Sequence, residues 1–243
     1  ITINAETTSL VTATAVTTVT GTAADIATLM GDEGTTGNKV DLAANVAATV
    51  SAGSASAAHL NTINTGTTGL VTATAVTTVT GTAAQINTLA GNEGTTGDKV
   101  DLATDVAMTV SAGTTTAGQL NTINGITTGL VTATAVTAIS GSASDLNTLI
   151  GNEGTTGDKV DLAANVALTV ATGGTTSTIL NALNDGTSGL VTATGVTTIT
   201  GTASTIATLI GNEGSSGDKV DLDGNFLVTV STGSASASHL NDF

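Results

Sequence analysis

Four short stretches hold most of the charged side chains that could do chemistry in this chain of 243 residues. The segment GNEGTTGDKVDL stands at 91–102 and again at 151–162, and close variants stand at 31–42 and 211–222. Carboxylate and carbonyl oxygens on flexible glycine-containing loops are ligands that Ca²⁺ prefers, so the stretches predict candidate calcium sites. The acidic side chains considered as calcium ligands are Glu33, Asp41, Glu93, Asp98, Asp101, Glu153, Asp158, Asp161, Glu213, Asp218 and Asp221.

Each stretch also contains one lysine, and a second interpretation pairs that lysine with the carboxylates around it. Exposed ion pairs of this kind are worth about 1 kcal/mol or less, which is comparable to the repulsion between like charges on neighbouring loops. A phosphate site is not expected, because the stretch lacks GK[ST] and its carboxylates repel phosphate. The chain also lacks the EF-hand loop pattern and the calcium-binding nonapeptide. The four lysines are Lys39, Lys99, Lys159 and Lys219.

The composition excludes several classes of partner. The net charge is −15 with only four Lys and Arg residues, so neither nucleic acid nor an anionic membrane surface is expected to bind. No apolar run reaches the 18 or so residues of a membrane-spanning helix, so no membrane insertion is expected. The absence of cysteine is compatible with an extracellular or cell-surface location. Aromatic residues make up 1% of the chain, so the core must be built from small aliphatic side chains.

The chain is internally repeated at a fixed period of about 60 residues. LVTATAV begins at 10, 70 and 130, and KVDL begins at 39, 99, 159 and 219. We therefore expect one domain over residues 1–243, made of four repeats at about 7–66, 67–126, 127–186 and 187–243. Each repeat contains two related halves, since TAADIATLMG at 22–31 aligns with SAAHLNTINT at 56–65. The building block is thus about 30 residues long and occurs eight times.

Hydrophobic alternation predicts the strands. Apolar and polar side chains alternate from Val40 to Val50, which predicts a strand over these eleven residues. In the first half-repeat the alternation starts at Val11 and changes phase before Val16, which predicts a bend between two short strands. The inward position of Ala48 is taken by Met108, Leu168 and Val228 in later repeats, as a core position requires.

Between the strands, TAADIATLMG predicts a short helix. Thr22 is placed as the N-cap, Asp25 lies in the first turn, and Gly31 marks the end. A helix of this length is not stable alone and must pack its apolar face on the strands. Stacking of such units predicts a β-solenoid of about eight coils of ~30 residues, each with β-strands and a short helix or helical turn. A β-sandwich is the competing fold.

The two ends of the chain are in phase with the repeat. Ile3 matches Ile63, and Phe243 falls where a core isoleucine stands in other repeats. No polar capping repeat closes either end, and solenoids normally need one. We therefore expect the chain to stack head-to-tail on other copies of itself, or on neighbouring repeats of a longer chain. The residues assigned to these assembly ends are Ile1, Ile3, Leu240 and Phe243.

Other polar residues give weaker signals. His59 and His239 share one repeat position with Gln119 and Ile179, so we interpret them as surface or packing residues. No catalytic constellation occurs at a single place in the chain, so no enzyme activity and no cofactor other than calcium are expected. The pairs Thr12/Thr14, Thr72/Thr74, Thr132/Thr134 and Thr192/Thr194 resemble the threonine arrays of ice-binding β-solenoids, although strand propensity alone also accounts for them.

The stretches VTGTAADIATLMG and VSAGSASAAHLNTIN resemble tandem repeats of very large secreted bacterial proteins, especially cyanobacterial surface proteins and type I-secreted ones. The resemblance extends over nearly the whole chain and implies an extracellular or cell-surface context. Together with the repeats, it predicts a structural protein: a subunit or segment of a self-assembling filament, sheath or adhesin stalk. The alternative is a binding module that uses a repeated surface for Ca²⁺, ice or carbohydrate.

Overall fold

The computed structural model describes residues 6–231 and 235–241. The chain forms two compact units, each built from two segments of sequence. Unit 1 comprises Ile1–Ser111 and Thr122–Val131, and unit 2 comprises Ala112–Asn121 and Thr132–Phe243. The single domain expected over residues 1–243 stays a prediction.

Short strands alternate with turns throughout both units. The strands have three to six residues each, which fits the short alternating segments of the sequence. The strands are β1 (Val11–Ala13), β2 (Thr18–Gly21), β3 (Val40–Leu42), β4 (Ala47–Val50), β5 (Gly53–Ser56), β6 (Val71–Ala73), β7 (Val76–Gly81), β8 (Val100–Leu102), β9 (Ala107–Val110), β10 (Gly113–Thr116), β11 (Val131–Ala133), β12 (Val136–Gly141), β13 (Val160–Leu162), β14 (Ala167–Val170), β15 (Gly173–Thr176), β16 (Val191–Ala193), β17 (Val196–Gly201), β18 (Val220–Leu222) and β19 (Leu227–Val230).

One short helix follows in every half-repeat. The helices are α1 (Ala23–Gly31), α2 (Ala57–Gly66), α3 (Ala83–Gly91), α4 (Ala117–Asn124), α5 (Ala143–Gly151), α6 (Ser177–Asp185), α7 (Ala203–Gly211) and α8 (Ala237–Asn241). The predicted start of α1 is confirmed, because the Thr22 side chain accepts a hydrogen bond from the Asp25 backbone N–H at 3.2 Å. The predicted end is also confirmed, since Gly31 is the last helical residue.

The strands form parallel sheets within each unit. In unit 1 the strand orders are β1-β3, β2-β4-β6-β8 and β5-β7-β9. In unit 2 they are β10-β12-β14-β16-β18 and β15-β17-β19. A repeated strand-and-helix unit with parallel sheets is therefore present, whereas the strands of β-sandwiches are mostly antiparallel.

The register between neighbouring strands does not follow the sequence repeat. Val11 pairs with Val40 and Val71 with Val100, and each of these steps along the chain is close to half a repeat. Between them, Ala48 pairs with Val71, which is a clearly shorter step. A long step and a short step together span fewer residues than one repeat. Moving two strands along a sheet therefore leads to a residue at an earlier position of the next repeat, and not to the equivalent residue. One sheet therefore ends, and another begins, within each repeat.

The strand predicted over 40–50 is wrong as a single element. A turn at Ala44 and Asn45, both exposed, divides it into β3 and β4. The turn leaves the alternation in phase, so the inward positions on both sides of it are buried as expected. The bend predicted before Val16 is confirmed, because β1 ends at Ala13 and the Val16 N–H donates to the Ala13 carbonyl at 3.0 Å. The buried residues around the 44–45 turn are Val40, Leu42, Val46, Ala48 and Val50.

The core of each unit is aliphatic and lies between the helices and the sheets. The predicted inward series is confirmed for Ala48, Met108 and Leu168, which are fully buried, whereas Val228 is partly exposed. Helix residues complete the core on the other side. The fully buried helix side chains include Leu60, Ile63, Ile86 and Leu89 in unit 1 and Leu146, Leu149 and Leu180 in unit 2.

A glycine stands where the chain enters β6 and β16. A Cβ added at Gly69 would lie 2.6 Å from the carbonyl oxygens of Asn45 and Val46. A Cβ at Gly189 would lie 2.5 Å from the corresponding oxygens of Asn165 and Val166, and Gly129 makes the same kind of approach. None of these glycines has a positive φ. The glycine is therefore required by close backbone approach and not by backbone conformation.

This close approach predicts a large difference between two glycine substitutions. Gly69→Ala should lower the free energy of unfolding by about 1–3 kcal/mol, because backbone atoms must move to admit the methyl group. Gly91→Ala is the matched control, since a Cβ there meets nothing within 4 Å at the end of α3. The control should leave stability unchanged or raise it by up to about 1 kcal/mol. Urea unfolding of both variants measures the difference, and equal effects would contradict the assignment.

Candidate functional site

Each acidic loop covers the edge of a sheet. β3, β8 and β18 are edge strands of their sheets within the two units. In the first loop the Val40 N–H donates to the Asp32 carbonyl at 3.0 Å, and the Gly34 N–H donates to the Val40 carbonyl at 3.1 Å. The same short bridge joins Glu33 to Val40, and it recurs at Glu93–Val100, Glu153–Val160 and Glu213–Val220. Covering an edge with a charged loop satisfies its backbone groups and prevents pairing with other chains.

The lysines cap helices. Lys99 Nζ donates to the carbonyl oxygen of Gly91, the last residue of α3, at 3.2 Å. Lys39, Lys159 and Lys219 make the same bond to Gly31, Gly151 and Gly211 at 3.1, 3.5 and 3.4 Å. Carbonyls in the last turn of a helix lack intrahelical donors, and a cation there also interacts favourably with the helix dipole. The structure thus gives each lysine a role in helix capping, and its pairing with a carboxylate stays a prediction.

The lysine stem also explains a glycine of the loop. A Cβ at Gly94 would lie 3.1 Å from Lys99 Cγ. The same separation is found at Gly34 and Gly214 relative to their lysines. The loop glycine thus leaves space for the aliphatic part of the lysine, which crosses the loop to reach the helix end.

The predicted calcium ligands lie in three different places. Glu33, Glu153 and Glu213 are exposed at the bridge, and Glu93 is half-buried there. Asp98, Asp158 and Asp218 are exposed at the loop tips. Asp41, Asp101, Asp161 and Asp221 lie at the middle of their strands. In the described part of the chain, no three Asp, Glu, His or Cys side chains are grouped to hold one metal ion. Calcium binding stays a prediction.

Two equivalent surface pockets bring some of these carboxylates together. In unit 1, Glu33 and Asp98 line a pocket of about 400 Å³ with Asn64 and residues 65–68. In unit 2, Glu153 lines a pocket of about 330 Å³ with Asp185 and residues 186–188. Carboxylates from different segments therefore share each pocket, a combination that loop spacing did not reveal.

Buried asparagines on the second helix of each of the first three repeats were missed by the sequence analysis. Asn64 is more than nine-tenths buried, and its Oδ1 has no hydrogen-bond partner among the described residues. Three residues earlier, Asn61 Nδ2 donates to the Gln85 carbonyl of α3 at 2.9 Å, which ties α2 to α3. An unpaired buried acceptor costs about 1–3 kcal/mol, so it normally has a reason. The signal in the sequence is NTIN at 61–64 and again at 121–124.

The threonine pairs do not form a two-residue row in the described strands. Thr12 lies in β1, but Thr14 lies in the turn that follows. A single row of outward hydroxyls runs across the strands instead and ends on an aspartate. Ice binding stays a prediction. In unit 1 the paired residues of this row are Thr20, Thr49, Thr72 and Asp101, and in unit 2 they are Thr116, Ser140, Thr169, Thr192 and Asp221.

Of the residues assigned to the assembly ends, only Leu240 is described. It lies in α8 and is 48% exposed, whereas its equivalent Leu180 is fully buried. Ile1, Ile3 and Phe243 lie outside the described residues, as does the side chain of His239. His59 is exposed, in agreement with its interpretation as a surface residue.

The last described strand has an open edge. β14 pairs with β12 on one side and β16 on the other, whereas β19 pairs only with β17 within the described ranges. Val170 of β14 is 4% exposed, but Val230 at the same position of β19 is 39% exposed. In unit 1, β6 pairs with both β4 and β8, whereas β1 pairs only with β3 among the strands that the structure describes.

No protein-family model, curated protein or solved structure matches this chain. Within the described residues, none of the helices has the length and apolar character needed to cross a bilayer. The resemblance to secreted bacterial repeat proteins stays a prediction.

Lysine capping predicts that the lysine and the neighbouring aspartate differ in their effect on stability. Lys99→Met should lower the free energy of unfolding by about 0.3–1 kcal/mol, because it keeps most of the stem but loses the charged bond to Gly91. Asp98→Asn, which removes a charge at the exposed loop tip, should change it by less than about 0.5 kcal/mol. Urea unfolding at low salt measures both. A larger loss for Asp98→Asn would favour lysine–carboxylate pairing.

Proposed function

We propose that this chain is a structural extracellular protein, a segment or subunit of a filament, sheath or adhesin stalk. It is folded as a β-solenoid of about eight ~30-residue coils, and a further repeat covers the open edge of β19. The extracellular location rests on the resemblance of the repeats, and the cysteine-free composition is compatible with it.

The open edge of β19 carries this proposal. In unit 2 the Leu168 N–H of β14 donates to the Leu190 carbonyl, just before β16, at 3.0 Å. Val228 stands at the equivalent position of β19, where no strand follows in the described residues. A further repeat placed in the β14–β16 register would accept a hydrogen bond from the Val228 N–H and would bury the Val230 side chain. An unpaired strand edge with apolar neighbours is a surface on which another strand can pair, and we call the β19 edge the joining surface.

The helix layer supports the same arrangement. α6 packs against α5 and α7, and Leu180 of α6 is fully buried between them. α8 packs against α7, and its equivalent residue Leu240 is half exposed. A helix following α8 would complete this layer as α7 completes it for α6. Stability that comes from contacts between neighbouring repeats is the property that suits a repeat protein to a scaffold role.

An extended chain tests this proposal. Residues 64–126 would be appended after Phe243, which continues the repeat in phase. We expect exchange of the Val228 amide to slow and the free energy of unfolding to rise by roughly 2 kcal/mol or more, because Val230 and Leu240 become buried. The maximum dimension from small-angle X-ray scattering should increase with the added repeat.

Val228→Pro is the matched control for the extended chain. Proline removes the outward N–H of β19, which has no strand partner in the described residues, and it replaces a side chain that is only partly buried, so the unextended variant should remain folded. In the extended chain it should abolish most of the gain in stability. Unchanged exchange at Val228 after extension would reject the joining surface and the proposed function with it.

Calcium binding is the second candidate function, and the unit 1 pocket favours it. Glu33 and Asp98 line this pocket, and so does Asn64, whose amide oxygen has no partner in the described part of the chain. Carboxylate and amide oxygens are suitable calcium ligands. If calcium binds there, titration calorimetry should detect it, and Glu33→Gln with Asp98→Asn should weaken it. Identical heats for the double variant and the unaltered chain would reject this site.

A further inference from the structure

Residue 9 distinguishes the first repeat from the others. The later repeats have glycine at the equivalent position, as Gly69, Gly129 and Gly189, and the first repeat has Ser9. At each of these three glycines an added Cβ would lie within 2.7 Å of two backbone carbonyl oxygens of the preceding repeat. The difference therefore falls on the contact that joins one repeat to the one before it.

The same local hydrogen bond is formed at Ser9 and at Gly69. The Ser9 N–H donates to Thr7 Oγ1 at 3.0 Å, and the Gly69 N–H donates to Thr67 Oγ1 at 3.0 Å. Neither residue has a positive φ. The serine side chain therefore projects where a Cβ on Gly69 would project. Ser9 is exposed, so it meets no such obstacle within its own unit.

The opposing surface at β19 offers the same backbone atoms. A Cβ on Gly69 would lie 2.6 Å from the carbonyl oxygens of Asn45 and Val46, which precede β4. Asn225 and Phe226 hold these two positions before β19, and the turn around them occupies the same place in the repeat. Backbone oxygens at this distance cannot give way as the end of a flexible side chain does. A second copy docking β1 on β19 would bring Ser9 Cβ against these oxygens.

We propose that the β19 edge accepts a repeat of the type found in this chain only when that repeat has glycine at the position of Gly69. The first repeat of a second copy is thereby excluded, because its Ser9 side chain blocks the close approach. This inference rests on the proposed function and specifies its partner: a repeat containing T-[TS]-G-L-V-T-A, as at residues 67–73. Ser9 therefore opposes head-to-tail joining through β1, so within the proposed function it favours a segment of consecutive repeats over a subunit that joins copies of itself.

Three versions of the full chain test the role of Ser9. Sedimentation velocity over a range of concentrations would compare the unaltered chain, Ser9→Ala and Ser9→Gly. Ser9→Ala is the matched control, since it keeps the Cβ and removes only the hydroxyl. We expect Ser9→Gly to self-associate with a constant about tenfold or more above the other two, as relief of a backbone clash implies. Adding Val228→Pro to Ser9→Gly should abolish that association.

The outcomes separate this inference from the proposed function. Equal association constants for all three versions would overturn the role of the Cβ. Equal constants for Ser9→Ala and Ser9→Gly, both above that of the unaltered chain, would overturn it as well. No association of Ser9→Gly, together with protection of Val228 in the extended chain, would overturn the inference and leave the joining surface intact. No association together with an unprotected Val228 would overturn both. Circular dichroism of each variant confirms that the exposed position 9 leaves the fold unchanged.

Discussion

Unpaired backbone groups at strand edges are the constraint on which the rest of this structure depends. The strands are short and parallel, and long steps such as Val71 to Val100 alternate with short ones such as Ala48 to Val71. This alternation ends a sheet within every repeat, and each ending exposes N–H and C=O groups that need partners. The acidic loop supplies them through Asp32 and Gly34 and their equivalents. The loop recurs in each repeat because a sheet edge recurs there.

The same loop also contains the lysines, which carry the positive charge of the chain. A carboxylate-rich segment covering an edge keeps other chains away, but the helix that precedes it ends in carbonyls without donors. One lysine per repeat satisfies such a carbonyl, at Gly91 in the case of Lys99.

The sequence predicted what is local and missed what depends on distant partners. Thr22 and Gly31 mark the ends of α1 because capping acts over a few residues. The turn at Ala44 and Asn45 escaped prediction because it leaves the hydrophobic alternation in phase. The short step between Ala48 and Val71 was also beyond prediction, since alternation does not reveal which strands become neighbours. For the same reason the acidic side chains were identified, but their separation into bridge, loop tip and strand was not.

Staggered sheets have a consequence for how the protein unfolds. The second repeat contributes β6 and β8 to one sheet of unit 1 and β7 and β9 to another. Opening that repeat therefore breaks strand pairs in both sheets at once, and neither sheet can separate without disturbing the other. Repeat proteins with weakly coupled units can fray one repeat at a time. Here interleaving couples local openings to one another, so partial unfolding is suppressed and the transition of each unit becomes more cooperative.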